Sequence, residues 1–416
     1  MSATAQLDEA AWLKNGEVAR LLSVLDRDGE EARVVGGAVR NELLRQPVAE
    51  IDLATTAVPE EVVRRVEAAG WKAVPTGIEH GTVTVVIKSH PFEVTTLRQD
   101  VETFGRKARV MFGRDWRADA ERRDFTINAL SASADGRVFD YVGGLADIAA
   151  RRVRFIGDPR ERIAEDYLRI LRFFRFHAYF ADGAPDAAGL HACIVARAGL
   201  DTLSRERVRM ELLKLFVAPR AASTLAIMSD SGLLGAVLGG VAYLASFAKM
   251  AELETALALD ADGVRRLGVL GVMVKEDAER LSQRLRLSNA ESERLFALEL
   301  WWRITPTCGE RAARAQLYEL GPQSFTDRVL LAWSRADAGV ADPPWRELAT
   351  LPQRWTAPVF PLKAADFIRR GVAKGPALGA AMRAAEAAWI AADFPADRMA
   401  IDAIAEKAAK QSMAAG

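Results

Sequence analysis

Glu50 and Asp52 flank Ile51 at the entrance to an apolar run that continues through Leu53 and Ala54. In an extended strand alternate side chains face opposite ways, so the two acids would share one face while Ile51 and Leu53 turn into a core. Two carboxylates on one face can share a hard cation. Upstream, Val34-Val35 runs into Gly36-Gly37 and then a short amphipathic segment to Leu44. A Gly-Gly turn ahead of a helix has no β-carbons to hold a phosphate away, and it leaves backbone N–H groups aimed at it. Arg40, one turn into that helix, adds a cation that could reach the same phosphates. Taken singly, these features read as a strand, a turn and solvated charges. Together and in order, they read as the metal and triphosphate parts of one site.

Phe92 to Arg98 reads as a second strand with Glu93 near its start, a third carboxylate able to orient metals or accept the proton of an attacking hydroxyl. Arg122-Arg123-Asp124 precedes what reads as another strand. Forked Arg donors there suit phosphate or ribose oxygens, with Asp124 holding the fork in place; a salt-bridged strand entrance is the equal alternative. Asp140 to Asp147, with Gly143-Gly144, reads as a structural turn. Glu165 to Arg175 predicts one helix on which Asp166 and Arg169 share a side and Arg172 and Arg175 continue the stripe. An intrahelical salt bridge is the commoner fate of such a pair. Asp only accepts and Arg only donates, so the two present the complement of an exocyclic amine beside a ring acceptor, the edge that adenine and cytosine carry. Guanine and uracil place a carbonyl where the amine should be, and each good pairing of this kind discriminates by roughly 1–3 kcal/mol.

The run from Gly36 to Arg40, the acids at Glu50 and Asp52, the stretch Arg122 to Ala129, the turn at Asp140 to Asp147 and Glu165-Asp166-Tyr167-Leu168-Arg169 together resemble a known motif series. It is that of the class II CCA-adding tRNA nucleotidyltransferases of the polymerase-β-like superfamily, shared with bacterial poly(A) polymerases; Ser204 to Leu212 is similar to its last, weaker motif. The resemblance covers about residues 30 to 215. Glu50 departs from it, standing where the family has Asp, one methylene longer against an ion that tolerates distorted geometry poorly. The resemblance implies an α+β chain with a small mixed-sheet nucleotidyltransferase head followed by an all-α neck, body and tail. It implies addition of C, C and A to the 3′ end of tRNA from CTP and ATP, with Mg²⁺ as cofactor. Glu50 and Asp52 would hold the metals and, with Glu93, form the catalytic acids. Gly36, Gly37, Arg40 and Arg123 would bind the triphosphate or ribose, and Asp166, Arg169, Arg172 and Arg175 would select the base. The segment from Gln99 to Ala120 would be a flexible loop tied to the switch from C to A, and the helical remainder would hold the tRNA acceptor stem by shape and backbone. Rival readings are a poly(A) polymerase, an enzyme adding only CC or only A, and a catalytically silent RNA-binding protein, the last motivated by Glu50.

The elements that must position these residues follow from periodicity. Asp8 to Asp28 has helical spacing; short β-rich runs appear at Val34-Val35, Ile51–Leu53, Val83–Ile87, Phe92–Leu97 and Ala129–Ser133, with a helix over Glu60–Ala69. Beyond Arg151 the patterns are helical. The predicted divisions are a helical cap over 1–29, the head over 30–150, a neck over 151–217, a body over 218–340 and a tail over 341–416. Lys plus Arg and Asp plus Glu number 56 each, so any basic surface for RNA must be local, and Arg151 to Arg162 with Arg205 to Lys214 is where such residues cluster. Two cysteines far apart exclude a disulfide scaffold or zinc ribbon and fit a reducing cytoplasm. No apolar run spans a bilayer, and the acids among the first residues argue against a signal peptide. His80, His90, His177 and His191 make no His-Asp pair, so no phosphohydrolase domain is expected. Trp301-Trp302 reads as core, and Ser204 as a helix cap.

Overall fold

The computed structural model describes all residues except 1–4, 8, 15, 78–80, 105–106 and 415–416, and backbone alone for 76 and 99–111. His80 lies outside the described residues. The chain forms two compact units, Met1–Val237 and Leu238–Gly416.

The first unit is built on one mixed sheet. Its strands are β1 (Ala32–Val35), β2 (Asp52–Thr55), β3 (Lys72–Gly77), β4 (Thr82–Ile87) and β5 (His90–Thr96). After the hairpin β6 (Arg98–Phe104) and β7 (Lys107–Phe112) come the two short strands β8 (Ser131–Ala132) and β9 (Val138–Phe139). The sheet order is β3-β4-β5-β2-β1-β8-β9, while β6 and β7 pair only with each other. Of the pairs in the large sheet, β2 with β5 alone is parallel, with Leu53 opposite Val94.

One face of this sheet is closed by helices α1 (Ala11–Lys14), α2 (Glu17–Leu25), α3 (Gly37–Leu43) and α4 (Pro59–Ala68). Val18, Leu21, Leu22 and Leu25 fall on one stripe of α2 and join Val34, Leu53, Val83, Val85 and Val94 in a single buried core. The N-terminal helices are thus part of the head's core. On the opposite face lie Val35, Ala54, Leu97 and Trp116.

Several sequence expectations are corrected here. The stretch expected as a loop is the hairpin β6–β7 followed by α5 (Trp116–Glu121), capped by the Asp115 side chain, which accepts from the N–H groups of Arg117 and Ala118. Arg122-Arg123-Asp124 leads into a 3₁₀ turn, Thr126–Asn128, instead of a strand. The helical part of the unit runs through α6 (Gly144–Ala149), α7 (Pro159–Glu165), α8 (Leu168–Phe180), α9 (Ala187–Val195), α10 (Arg205–Phe216) and α11 (Ala221–Asp230). The single helix expected across Asp166 is therefore two. Ser204 stands at the cap position of α10, but its side chain makes no capping hydrogen bond.

The turn at Asp140 is structural, as expected. Its carboxylate accepts from the backbone N–H groups of Val142, Gly143, Gly144 and Leu145, at 2.8–3.1 Å. A β-carbon on Gly144 would collide with the Thr126 carbonyl oxygen, so only glycine allows that approach.

The division between the units falls in α12 (Leu233–Leu238), and the second unit is all helical among its described residues. It contains α13 (Leu244–Ala256), α14 (Gly263–Gly271), α15 (Lys275–Leu285), α16 (Asn289–Phe296) and α17 (Glu310–Arg335), the last broken at Gly321-Pro322. After α18 (Pro343–Ala349) and α19 (Leu351–Arg354), helices α20 (Ala364–Ile368), α21 (Pro376–Ala391) and α22 (Arg398–Ala414) pack a separate alanine-rich cluster around Phe367. Trp301-Trp302 is not core: Trp302 is 49% exposed. No helix, among the described residues, is long and apolar enough to cross a membrane.

Candidate active site

Strand register places the acids. Leu53 and Val94 are opposed on β2 and β5 and fully buried, so Asp52 and Glu93, each one residue earlier, lie side by side on the other face, and both are exposed. Glu50 stands just before β2 and is exposed as well. Asp52 senses the other two. The Asp52 carboxyl is raised above its ordinary range, first by partial loss of water and then by the negative charges of Glu93 and Glu50, while Arg123 pulls it down.

Such a cluster suits a hard divalent cation, because all its donors are oxygen and its repulsion is what a bound cation would relieve. Among the described residues no three ligating side chains converge into a ready cage. Small divalent cations of this kind need only one or two carboxylates, substrate phosphates completing the shell.

Val35, the last residue of β1, pairs with Asp52, which brings the Gly-Gly turn beside the acids. Gly36 has φ 69° and ψ −117°, a conformation for which glycine is suited. Its N–H is spent on the Leu130 carbonyl at 2.9 Å, so it is not free for phosphate as expected. The amides of the open first turn of α3 are those of Gly37, Ala38 and Val39, ahead of the Arg40 N–H, which donates to the Gly36 carbonyl. Arg40 points inward: only 8% exposed, it donates to Asn128 Oδ1 at 2.5 Å and to Asn41 Oδ1, and lies 4.0 Å over the Phe180 ring. Burial, then the nearby Arg175, lowers its pKa to about 10. Its guanidinium still backs the turn, with Nη2 3.7 Å from where a Gly37 β-carbon would sit.

Arg123 covers the turn from the other side, Nη1 lying 3.3 Å from the β-carbon position of Gly36. Its fork is held by Asp119 of α5, at 3.1 and 3.3 Å, and the same buried carboxylate takes Arg122. This corrects the expectation for Asp124. Only 9% exposed, Asp124 instead accepts from Arg172 Nε at 2.7 Å, from Asn128 Nδ2 and from the Phe125 N–H. Burial pushes its carboxyl up, but Arg172 and these hydrogen bonds outweigh burial and hold it below the ordinary range.

Asp166 has extended backbone angles, φ −156° and ψ 107°, between α7 and α8. It is not held by Arg169. Arg207 of α10 grips it with two nitrogens, at 2.6 and 3.2 Å, and the Leu168 N–H donates to Oδ1. Arg169 is clamped from the other side by Glu165 and the Arg162 carbonyl. Both side chains stay half-buried, with donor and acceptor capacity left for a base edge. Arg172 and Arg175, expected in the base pocket, are bound to Asp124 and, through Arg175 Nε at 2.6 Å, to Glu211 of α10. They tie α8 to the head and to α10.

Residues 32–154 match the family described as poly A polymerase head domain, and 191–244 that described as probable RNA and SrmB- binding site of polymerase A. Over 381 residues the chain is 32% identical to CCA tRNA nucleotidyltransferase 1, mitochondrial, of Mus musculus, covering 89% of this chain and 85% of that one. This chain belongs to the CCA-adding tRNA nucleotidyltransferases. To the CCA-adding enzyme of Limosilactobacillus fermentum it is 33% identical over 377 residues, 87% of this chain and 89% of that one. Its fold matches the Bacillus stearothermophilus CCA-adding enzyme in complex with CTP with a TM-score of 0.76 at 27% identity, covering 96% and 98% of the two chains.

In this nucleotidyltransferase two residues of the site escaped sequence reading. Asp119 lay in a stretch without clean period, and only its position one helical turn before Arg122 and Arg123 could have signalled it. Arg207 was visible as part of a basic cluster, but nothing local linked it to Asp166.

Proposed function

We propose that this chain completes the 3′ end of tRNA by adding C, C and A from CTP and ATP. In each addition the terminal 3′-oxygen bonds to the α-phosphorus of the nucleotide, the α–β phosphoanhydride bond breaks, and pyrophosphate leaves. The observation that carries the reading is similarity to CCA tRNA nucleotidyltransferases along 85–89% of their length, with the motif residues present. Structures of CCA-adding enzymes with CTP, with ATP and with tRNA are fold neighbours.

In this reading Asp52 and Glu50 hold the cation, for which we propose Mg²⁺, and Glu93 orients the cluster or takes the proton of the attacking hydroxyl. When bound, a divalent cation supplies neutralisation of triphosphate charge and acidifies that hydroxyl. Gly36 and Gly37 let the triphosphate approach the backbone, Arg123 steadies it, and Arg40 contributes positive charge from beneath the turn. Asp166 and Arg169 meet the amine and ring acceptor of the base, while Arg172 and Arg175 keep their helix in place. The helical remainder holds the tRNA, and the reaction takes place in the cytoplasm; relatives named mitochondrial make an organelle the alternative.

A tRNA lacking its terminal residues, offered labelled nucleotides singly and together, tests this. A stop after three additions is expected. The family descriptions 'poly A polymerase head domain' and 'polymerase A' motivate the second reading, and a long ladder of A residues would establish it instead.

A further inference from the structure

Arg162 lies on α7 and takes no part in the chemistry above, yet all of its hydrogen-bonding capacity is used. A guanidinium has five N–H donors in a fixed fork. Nε donates to the Ile156 carbonyl at 3.2 Å, Nη1 to the two oxygens of Glu165 at 2.9 and 3.0 Å, and Nη2 to the carbonyls of Glu121 and, at 3.1 Å, of Arg123. The side chain is 14% exposed. With its fork spent inside the chain, Arg162 has no donor left for an RNA phosphate, although it belongs to the basic cluster that suggested one.

Its partners fall into two groups. Glu121 and Arg123 close the C-terminal end of α5, where helix carbonyls lack intrahelical partners and favour a cation; Arg123 is the residue whose fork covers the Gly36 turn. On the other side, Glu165 clamps Arg169, and Arg169 also donates to the backbone carbonyl of Arg162 itself at 2.7 Å. One side chain therefore bridges the backbone that carries the triphosphate fork and the carboxylate that sets the base-selecting Arg.

We propose that Arg162 is a positioning residue that locks base selection to triphosphate placement, so that a base seated correctly against Asp166 and Arg169 finds its α-phosphate at one fixed distance from the acids. This rests on the reading that Asp166 and Arg169 choose the base. Lysine keeps the charge but offers three donors from a single nitrogen where the fork makes five bonds from three. Arg162→Lys is therefore the informative variant, with Arg162→Gln as its uncharged counterpart.

The measurement is kcat and KM for CTP, ATP, UTP and GTP on a tRNA lacking its end, alongside the thermal midpoint of each variant. Arg162→Lys should raise KM for CTP and ATP and reduce discrimination against UTP and GTP about tenfold, comparable to losing one base-edge contact. Glu165→Gln should reduce discrimination similarly. Because Arg162 acts through Glu165, the double variant should discriminate little worse than either single one. A lowered thermal midpoint with KM and discrimination unchanged would make Arg162 a stabilising residue only and overturn the proposal, as would full additivity of the two substitutions. Failure of the underlying reading is distinguishable: in that case Asp166→Ala would leave discrimination intact while Arg162→Lys still altered KM.

Discussion

At the scale of single residues, Asp52 is placed against stability. Asp52 carries a raised carboxyl pKa, first because it has lost part of its water and then because Glu93 and Glu50 beside it are also acidic. A carboxylate raised in the fold destabilises it above the folded pKa, and that penalty disappears as pH falls below the ordinary carboxylate range. Asp52→Asn should therefore abolish nucleotide incorporation while raising the metal-free melting temperature slightly at neutral pH, a gain that vanishes toward pH 3. In the unmodified protein Mg²⁺ should raise the melting temperature, and in Asp52→Asn that rise should be lost; a variant that still responded to Mg²⁺ would take Asp52 out of the metal site. Asp166 offers a second case. Its residue type was legible in the sequence, its partner was not, because reading by helical spacing chose Arg169 where the fold supplies Arg207 from another helix. Arg207→Ala frees the carboxylate to rotate and should cut discrimination against UTP and GTP by roughly tenfold with kcat for correct nucleotides less affected, the mark of a lost selective contact. Equal losses for all four nucleotides would show that Arg207 acts on something other than base choice.

At the scale of elements, what was legible was what has a period. The stripe on α2, the strands β4 and β5 and helices α4 and α10 announce themselves because their buried positions repeat. Strand β3 did not, since Pro75 interrupts it and reads as a breaker, although its place at the sheet edge lets it tolerate a missing N–H. Strands β8 and β9 are each two residues long, too short for any alternation to show. The break between α7 and α8 was hidden for a different reason: helical periodicity runs through it, and what bends the chain is tertiary. Tyr167, at the break, packs its ring so closely on Gly199 that a β-carbon there would lie 2.0–2.3 Å from three of its ring atoms. Gly199→Ala must push the ring away and with it the backbone beside Asp166. A loss of about 1–3 kcal/mol in denaturant unfolding is expected, the usual cost of overpacking, together with increased misincorporation of UMP. Normal fidelity in a destabilised Gly199→Ala protein would show that the break tolerates movement of Tyr167.

At the scale of the whole molecule, the equal numbers of acids and bases conceal how the charges are spent. Much of the basic cluster that looked like an RNA surface is committed internally: Arg152 and Arg154 to Asp147, Arg162 to Glu165, Arg207 to Asp166. The second unit does the same in its interior, where no motif could have drawn attention to it. Asp327 on α17 is 1% exposed and accepts from Arg265 of α14 at 2.8 Å, from Arg294 of α16 at 2.7 and 2.9 Å, and from Gln323 at 3.0 Å. Glu254 of α13 completes the network by taking Arg265 at 2.8 Å and Arg266 at 2.7 Å. One carboxylate thus joins three helices. Taking so many charges out of water is costly, and the arrangement holds only while every partner is present. Asp327→Ala leaves Arg265 with one acid and strands part of its charge, so it should cost about 3–5 kcal/mol, the range for breaking a buried ion pair from one side. Asp327→Asn keeps an acceptor and a similar shape and should cost less. The measurement is urea unfolding followed by tryptophan fluorescence, for which Trp333 on the same helix is a buried reporter. A loss below about 1 kcal/mol for the alanine variant, the range of a surface ion pair, would mean that water enters and solvates the exposed guanidinium groups, and the network would then be a tolerated feature of the helical unit instead of what holds its helices together.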